Sequence, residues 1–168
     1  EDLEIAIREK NTSLQVHRLP TIPGIKGQLQ QLFQNLISNA LKFNDKKDPL
    51  IEISHVPVTQ DMAEIFSILP ERYTAISIRD NGIGFDEKFK ERIFGIFQRL
   101  NGSQFEGTGI GLAICKKIVE NHHGFIHVRS VPGQGTEFII IMPAIARIGK
   151  EKKRTLAGDP GHHQSKNN

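Results

Sequence analysis

Three polar side chains recur at helical spacing between residues 28 and 43. Asn35, Asn39 and Lys42 lie at i, i+4 and i+7 beside a run of apolar residues. At about 100° per residue these positions fall within a roughly 60° sector, so the three side chains share one edge of the helix. An amide oxygen suits Mg²⁺, and an ammonium group attracts phosphate oxygens. The pattern predicts a site for a cation and an oxyanion, although a solvated polar rim also accounts for this helix taken alone.

A second candidate is the carboxylate that begins the motif DNGIGFD. Asp80 ends an alternating segment of strand type, so its carboxylate can accept a hydrogen bond from an exocyclic amine such as that of adenine. Ile78 and Ile83 are expected to contact the ring, and Gly82 and Gly84 to let the backbone approach a flat ligand. A hairpin turn with a capping aspartate is the alternative interpretation of this motif.

A second glycine cluster, GTGIG at residues 107–111, stands directly before an amphipathic helix. Free backbone N–H groups and the positive end of the helix dipole converge at such a point, which favours an anion. The cluster is not a Walker A motif, because no Lys-Ser/Thr pair follows it, and it does not follow a strand as a dinucleotide fingerprint does. The anion site is therefore of another type.

These motifs follow one another in the order NLISNALKF, DNGIGFD, IFGIFQRL and GTGIGLAICKKIVENHHG. In this conjunction the chain resembles the catalytic, ATP-binding domain of sensor histidine kinases, with its N box, two glycine boxes and F box. The stretch FQRLNGSQFEGTGIGLAICKKIVE resembles bacteriophytochromes in particular. The resemblance extends from Leu14 to Pro143 and implies an α+β fold, the two-layer α/β sandwich of Bergerat type. In that fold ATP lies between the N-box helix and a mobile lid, here residues 86–106, with Phe94 and Phe97 as a hydrophobic latch.

The resemblance implies a role for each matching position. Asn39 corresponds to the Mg²⁺-binding asparagine, Lys42 to the lysine that contacts phosphate, and Asp80 to the aspartate that reads adenine. Phe43 corresponds to an aromatic residue near the adenine, and Thr136 to a threonine near the base. The remaining positions expected to shape or line the nucleotide pocket are Gly82, Ile83, Gly84, Phe97, Gly107, Thr108, Gly109, Gly111 and Leu112.

Position 35 distinguishes this chain from other ATPases of similar type. Gyrase-like, Hsp90-like and MutL-like ATPases carry a glutamate four residues before the metal-binding asparagine, where this chain has Asn35. An amide cannot accept a proton as a general base, so rapid ATP hydrolysis is disfavoured. Phosphoryl transfer depends mostly on positioning and charge neutralisation, so Asn35, Asn39 and Lys42 are the expected catalytic set of a kinase.

Hydrophobic periodicity predicts the elements that must hold these residues in place. Helices are predicted at 3–8, 28–43 and 109–122, and an interrupted helix at 87–100. Strands are predicted at 51–56, 73–80, 125–130 and 136–142, and a further short strand around Leu14 and Val16 that ends before Pro20. The connection 57–71 fits either an extended hairpin with an insertion or a short helix. Hairpins outnumber crossovers, so a mixed, mostly antiparallel sheet with helices on one face is expected.

Length and composition indicate one domain with distinct ends. We expect residues 1–13 to be the end of a linker or dimerisation helix, 14–143 the catalytic domain and 144–168 a basic, disordered tail. The tail holds six Lys/Arg and two Asp/Glu, which gives it a charge of +4. Since the whole chain has a net charge of +3, residues 1–143 carry −1. The basic tail therefore accounts for the positive charge, which does not indicate nucleic-acid binding. No apolar run approaches the roughly 20 residues of a membrane span. We expect the isolated domain to be a cytoplasmic monomer without direct membrane contact. This expectation also covers a domain that forms the cytosolic part of a membrane-bound sensor.

The phosphoacceptor is expected outside this chain. None of the seven histidines is followed by the acidic residue, apolar residue and Arg/Lys of the family's phosphoacceptor box. The resemblance therefore implies a histidine on a dimerisation and phosphotransfer domain of the same full-length protein, with a response regulator downstream. Two alternatives stay open: a nucleotide-sensing interaction module without turnover, and a serine kinase of the anti-sigma-factor type.

Two other reactive residue types have structural interpretations. Cys115 is the single cysteine and lies in an amphipathic segment, so a buried, inert thiol is expected. His122 and His123 are expected to interact with the C-terminus of the helix before them, with Gly124 as its cap residue.

Overall fold

The computed structural model describes residues 3–95 and 110–145. Its helices are α1 (Leu3–Glu9), α2 (Lys26–Lys42), α3 (Gln60–Phe66) and α4 (Gly111–Asn121). Its strands are β1 (Ser13–Val16), β2 (Leu50–Val56), β3 (Tyr73–Asp80), β4 (Phe125–Val131) and β5 (Gly135–Pro143). Short 3₁₀ turns lie at Pro70–Arg72, Glu87–Phe89 and Arg92–Phe94, so the interrupted helix predicted over 87–100 is, in its described part, two 3₁₀ turns.

The five strands form one sheet in the order β1-β2-β3-β5-β4. The pair β1–β2 is parallel and the other three pairs are antiparallel, which confirms the predicted mixed sheet. The register aligns apolar residues in rows, for example Ile53 with Ile78, Ile78 with Phe138, and Phe138 with Val128. Because side chains alternate between faces, each such row belongs to one face of the sheet.

Helices α2 and α4 cover that apolar face. Leu32 and Leu36 of α2 are fully buried, and they belong to one core with Cys115 and Val119 of α4. Each fully buried leucine contributes about 1.5 to 3 kcal/mol relative to an exposed one. The thiol of Cys115 faces the carbonyl of Leu32, and burial raises its pKa to about 12. The predicted burial of this cysteine is confirmed.

The connection 57–71 contains helix α3. Its N-cap is Thr59, whose hydroxyl accepts a hydrogen bond from Met62 N at 3.3 Å, and it ends at Ser67 in the left-handed region. Met62 pairs with Ala75 and Ile141 in a second, smaller core on the other face of the sheet. The helical alternative for this connection is therefore the one that forms.

The C-terminus of α4 corrects one prediction. The residue in the left-handed conformation is His123, with φ of 56°, and not Gly124. Gly124 N donates to Val119 O at 2.9 Å, and a Cβ there would lie 2.5 Å from Ile141 O, so this glycine serves close packing on β5. His122 contacts Ile118 O through Nδ1 at 2.7 Å, as expected for a partner of the helix C-terminus.

Among the helices at 3–95 and 110–145, none is both long and apolar enough to cross a membrane.

Candidate active site

Asp80 lies half-buried at the end of β3, where its carboxylate is fixed by two backbone N–H groups. Gly82 N donates to Oδ1 at 2.7 Å and Thr136 N donates to the same oxygen at 3.3 Å. Burial raises the pKa of Asp80 to about 6, and the two hydrogen bonds only partly oppose that shift. Within the described residues, the hydrogen bonds to this carboxylate fall on Oδ1. Oδ2 can therefore accept a hydrogen bond from a ligand.

The loop after Asp80 packs against the end of α2. Ile83 N donates to Phe43 O at 2.9 Å, and a Cβ added at Gly82 would lie 2.3 Å from the same oxygen. Gly82 therefore lets the loop approach the end of α2 closely.

Gly84 has a similar role on the other side of the loop. Its φ is +60°, and a Cβ at this position would lie 2.1 Å from Val131 O in the hairpin between β4 and β5. Gly133 N donates to Ile83 O at 2.6 Å. Gly135, which the sequence did not single out, has φ of +114° and would place a Cβ 2.0 Å from Asp80 O. The glycines of both segments thus allow the hairpin to support the loop that carries Asp80. Because β3 does not pair with β4, the loop is not a hairpin turn, and that part of the alternative interpretation of DNG is wrong. Its capping aspartate is confirmed, since Asp80 Oδ1 accepts the hydrogen bond from Gly82 N.

Thr136 supports Asp80 from β5, together with a serine that sequence reasoning missed. Its hydroxyl lies 2.8 Å from that of Ser130, its partner in the β4–β5 register. Ser130 Oγ also donates to Gly135 O at 3.0 Å and accepts from Phe85 N at 2.9 Å. Both side chains are buried. The sequence signal for this contact was the presence of two small polar residues, Ser130 and Thr136, at equivalent distances from the turn between two predicted strands.

An amide pair on the opposite side of the loop was also missed. Asn81 Oδ1 accepts hydrogen bonds from Asn44 Nδ2 and Leu50 N, both at 2.9 Å, and Asn81 Nδ2 donates to Asp48 O at 3.1 Å. Asn44 is buried, and its own Oδ1 accepts from Lys46 N at 3.1 Å. These contacts join the turn after α2 to the loop after β3. The motif DNG indicated a turn but not which distant segment its asparagine binds.

The last turn of α2 carries the other predicted polar groups. Asn39 and Lys42 are half-buried, and Phe43 N donates to Asn39 O at 3.0 Å. Lys42 Nζ lies 5.2 Å from the centre of the Phe43 ring. Four helical residues span about 6 Å, so Asn39 lies one turn from the Phe43 carbonyl that contacts the loop after Asp80. An amide, an ammonium group and a carboxylate therefore belong to adjoining segments.

Asn35 connects α2 to the start of α4. Its Nδ2 donates to Gly111 O at 3.4 Å, and its amide also contacts the Cys115 thiol. The N-cap of α4 is Ile110, whose side chain has no acceptor for the first N–H groups of the helix. Those N–H groups remain suited to an anion. Leu112, expected to line the pocket, is half-buried and packs against the main core.

Several predicted positions fall outside the described residues. These are Phe97, Gly107, Thr108 and Gly109, together with most of the predicted lid. Phe94, the other residue of the predicted latch, lies in edge-to-face contact with Phe138, with ring centres 6.3 Å apart.

Comparison with known proteins places this geometry in context. Residues 24–146 match the family described as histidine kinase-, DNA gyrase B- and HSP90-like ATPase. Cyanobacterial phytochrome A of Nostoc is 41% identical over 91% of this chain and 18% of its own length. The sensor histidine kinase RcsC of Escherichia coli is 38% identical over 74% of this chain and 12% of its own length. ShkA, solved at full length in complex with AMPPNP, is 26% identical with a TM-score of 0.63, covering 84% of this chain and 28% of that one.

Proposed function

Because the chain belongs to the family of histidine kinase-, DNA gyrase B- and HSP90-like ATPases, as a domain of the histidine kinase type, we propose that it binds ATP with Mg²⁺ and transfers the γ-phosphate to a histidine on a separate domain. The observation that carries this proposal is the joining of two predicted ends of one nucleotide site. Phe43, directly after Lys42, holds Ile83 N in the loop that follows Asp80.

At the base end, Asp80 selects adenine. Its Oδ1 is already bound by Gly82 N and Thr136 N, so the carboxylate has a fixed orientation. Oδ2 accepts the N6 amine of adenine, and the oxygen at the same position of guanine would be repelled by it. Phe43 and Ile83, the two residues joined by the backbone hydrogen bond, supply apolar side chains next to the adenine ring.

At the other end, Asn39 supplies an amide oxygen for Mg²⁺ and Lys42 a positive charge for the phosphates. In the parts of the chain that the structure describes, no group of three or more His, Cys, Asp or Glu side chains could form a protein metal cage. A single amide oxygen from Asn39 fits Mg²⁺, because this ion keeps several waters and takes further oxygens from its phosphate ligand. When bound, Mg²⁺ neutralises negative charge on the phosphates. The first turn of α4 offers its N–H groups to the same anion.

The reaction that fits these groups is phosphoryl transfer. Asn35 donates to a backbone carbonyl of α4 and, as an amide, cannot deprotonate water. A ring nitrogen of the acceptor histidine forms the new P–N bond while the bond from the γ-phosphorus to the bridging oxygen breaks, and ADP leaves with that electron pair. The roles of Asn35, Asn39 and Lys42 are to position and neutralise the phosphates.

The partners follow from the same proposal. The chain spans about a fifth of the Nostoc relative, whose full length contains much more than this domain. We place the acceptor histidine on a dimerisation and phosphotransfer domain of the full-length protein, with a response regulator as the next acceptor. In this proposal the domain acts in the cytoplasm.

Label transfer tests the proposal. The chain is mixed with γ-labelled ATP, Mg²⁺ and a separately produced helical domain that bears the acceptor histidine. We expect acid-labile label on that domain, and none with Asn39→Ala. Tight ATP binding without transfer would instead identify a nucleotide-sensing module. Acid-stable label would identify a serine kinase.

A further inference from the structure

Asn81 forms a bridge between the two ends of the site. Its side chain makes three hydrogen bonds, to Asn44, to the backbone of Leu50 and to the backbone of Asp48. All three partners lie in the segment that leaves α2 and enters β2. Asn81 directly follows Asp80, which belongs to the base end. Its side-chain amide therefore joins the base end to the segment after α2, the helix that carries the phosphate end.

Asn44 is buried, Asn81 and Leu50 are half-buried, and Asp48 is exposed. Asn44 is 8% exposed and directly follows Phe43, the residue whose carbonyl accepts Ile83 N. Asn81 Oδ1 uses both lone pairs, one for Asn44 and one for Leu50, and a hydrogen of its Nδ2 is used for Asp48. A side chain of different length or donor pattern at position 81 could not satisfy these partners together.

We propose that Asn81, acting through Asn44, is a positioning residue that keeps Asp80 and the last turn of α2 at the spacing of one nucleotide. The inference rests on the proposed function, since it assigns the base to Asp80 and the phosphates to Asn39 and Lys42. It assigns Asn81 no contact with the nucleotide.

Each end of the site is also held independently of the bridge. Asp80 Oδ1 is fixed by Gly82 N and Thr136 N, and Asn39 belongs to a continuous helix. Loss of the Asn81 amide therefore leaves each end able to bind its own part of the ligand. What it removes is the fixed spacing that lets one molecule contact both ends with a high effective concentration. Two backbone hydrogen bonds between these segments remain, from Ile83 N to Phe43 O at 2.9 Å and from Asn81 N to Leu50 O at 3.3 Å.

Binding of three ligands separates these effects. Calorimetry would measure the Kd of Mg·ATP, of adenosine and of Mg·tripolyphosphate for the wild-type chain and for Asn81→Ala. If the correct spacing is populated about a tenth of the time without the bridge, the Kd of ATP rises about tenfold. The Kd values of adenosine and of tripolyphosphate stay within about twofold, because each ligand contacts one end only.

Two further variants keep the test decisive. Asn44→Ala removes one of the three bonds and leaves Asn81 in place, so an increase of about threefold in the Kd of ATP is expected even if Asn81→Ala does not fold. Asn121→Ala makes the same chemical change at an exposed position of α4 and should leave all three Kd values unchanged. Thermal unfolding of each variant confirms that binding is measured on folded protein.

The outcomes distinguish this inference from the proposed function. Failure of the folded wild-type chain to bind ATP would reject both. Normal ATP binding by folded Asn81→Ala and Asn44→Ala would reject the positioning role and leave the proposed function standing. An equal loss of adenosine and ATP affinity would also reject it, because Asn81 would then support the base end only.

Discussion

The carbonyl oxygen of Phe43 accepts a hydrogen bond from Ile83 N at 2.9 Å, which joins the end of the long helix α2 to the loop after β3. This contact brings two motifs that lie forty residues apart in the chain to one place. It depends on Gly82, because a side chain there would enter the space of the same carbonyl.

Gly82→Ala should therefore be costly. Its Cβ would lie 2.3 Å from Phe43 O, a backbone atom that cannot move aside without moving α2. We expect a loss of about 1 to 3 kcal/mol in the free energy of unfolding, typical of overpacking, together with weaker ATP binding. Urea denaturation and calorimetry measure the two effects.

The matched control is Gly27→Ala in the first turn of α2. A Cβ at Gly27 would meet nothing within 4 Å, so alanine there should raise stability by up to about 1 kcal/mol. Equal effects of the two substitutions would contradict the steric explanation.

Asp80→Asn should change base selectivity while preserving the fold. The asparagine oxygen can still accept from Gly82 N and Thr136 N, but its amide group then faces the ligand in place of Oδ2. We expect ATP affinity to fall about 10- to 100-fold, because two donors would oppose each other, and the preference for ATP over GTP to shrink. Competition binding with both nucleotides measures this. An unchanged preference would show that Asp80 does not read the base.

The buried carboxylate also predicts a pH dependence. Burial raises the pKa of Asp80 to about 6, above the value of about 3.9 in an unfolded chain. The folded state therefore keeps this proton to higher pH, and the stability that this group contributes is lost as the pH rises from about 4 through about 6. The stability of Asp80→Asn relative to wild type should accordingly increase by about 2 to 3 kcal/mol between about pH 4 and about pH 7. Denaturation curves at several pH values test this, and a constant difference would refute it.

The same ionisation should govern binding of the base. An ionised carboxylate accepts the adenine amine, so adenosine binding to the wild-type chain should weaken as the pH falls below about 6. Adenosine carries no phosphate, which excludes titration of the ligand's phosphate groups. The already weak binding of Asp80→Asn should not change over this range.

Ser130→Ala should destabilise the fold, because Ser130 links the β4–β5 hairpin to the loop after Asp80. The substitution removes the acceptor of Phe85 N and the partner of the Thr136 hydroxyl, both next to the loop of Asp80. Leaving buried polar groups without partners costs about 1 to 3 kcal/mol in the free energy of unfolding. Ser54→Ala, on the same sheet but less buried, is the control and should cost less. Equal losses at the two positions would contradict the proposed support.

Local sequence patterns predicted most helices and strands well, because these structures depend on hydrophobic periodicity within a short segment. The apolar stripe of α2 and the alternation in β3 placed Asn39 and Asp80 on the correct elements. The short helix α3 stayed undecided, since Met62 and Phe66 fit both a helix and a hairpin insertion.

Long-range contacts could not be read in the same way. Nothing local indicates that Asn81 binds Asn44, or that Gly82 faces the Phe43 carbonyl, because the partners are distant in the chain and are brought together by the tertiary fold. His123 in place of Gly124 at the left-handed position is a further example. The glycine is required there by packing against β5, and the backbone turn falls on the residue before it.

The most direct measurement is a crystal structure of the chain with Mg²⁺ and a non-hydrolysable ATP analogue. We expect Asp80 Oδ2 at about 3 Å from the N6 amine of the base. We also expect Asn39 Oδ1 at about 2.1 Å from a Mg²⁺ ion that the phosphates share. A nucleotide bound elsewhere, or one that contacts only one of these two side chains, would contradict the proposed function.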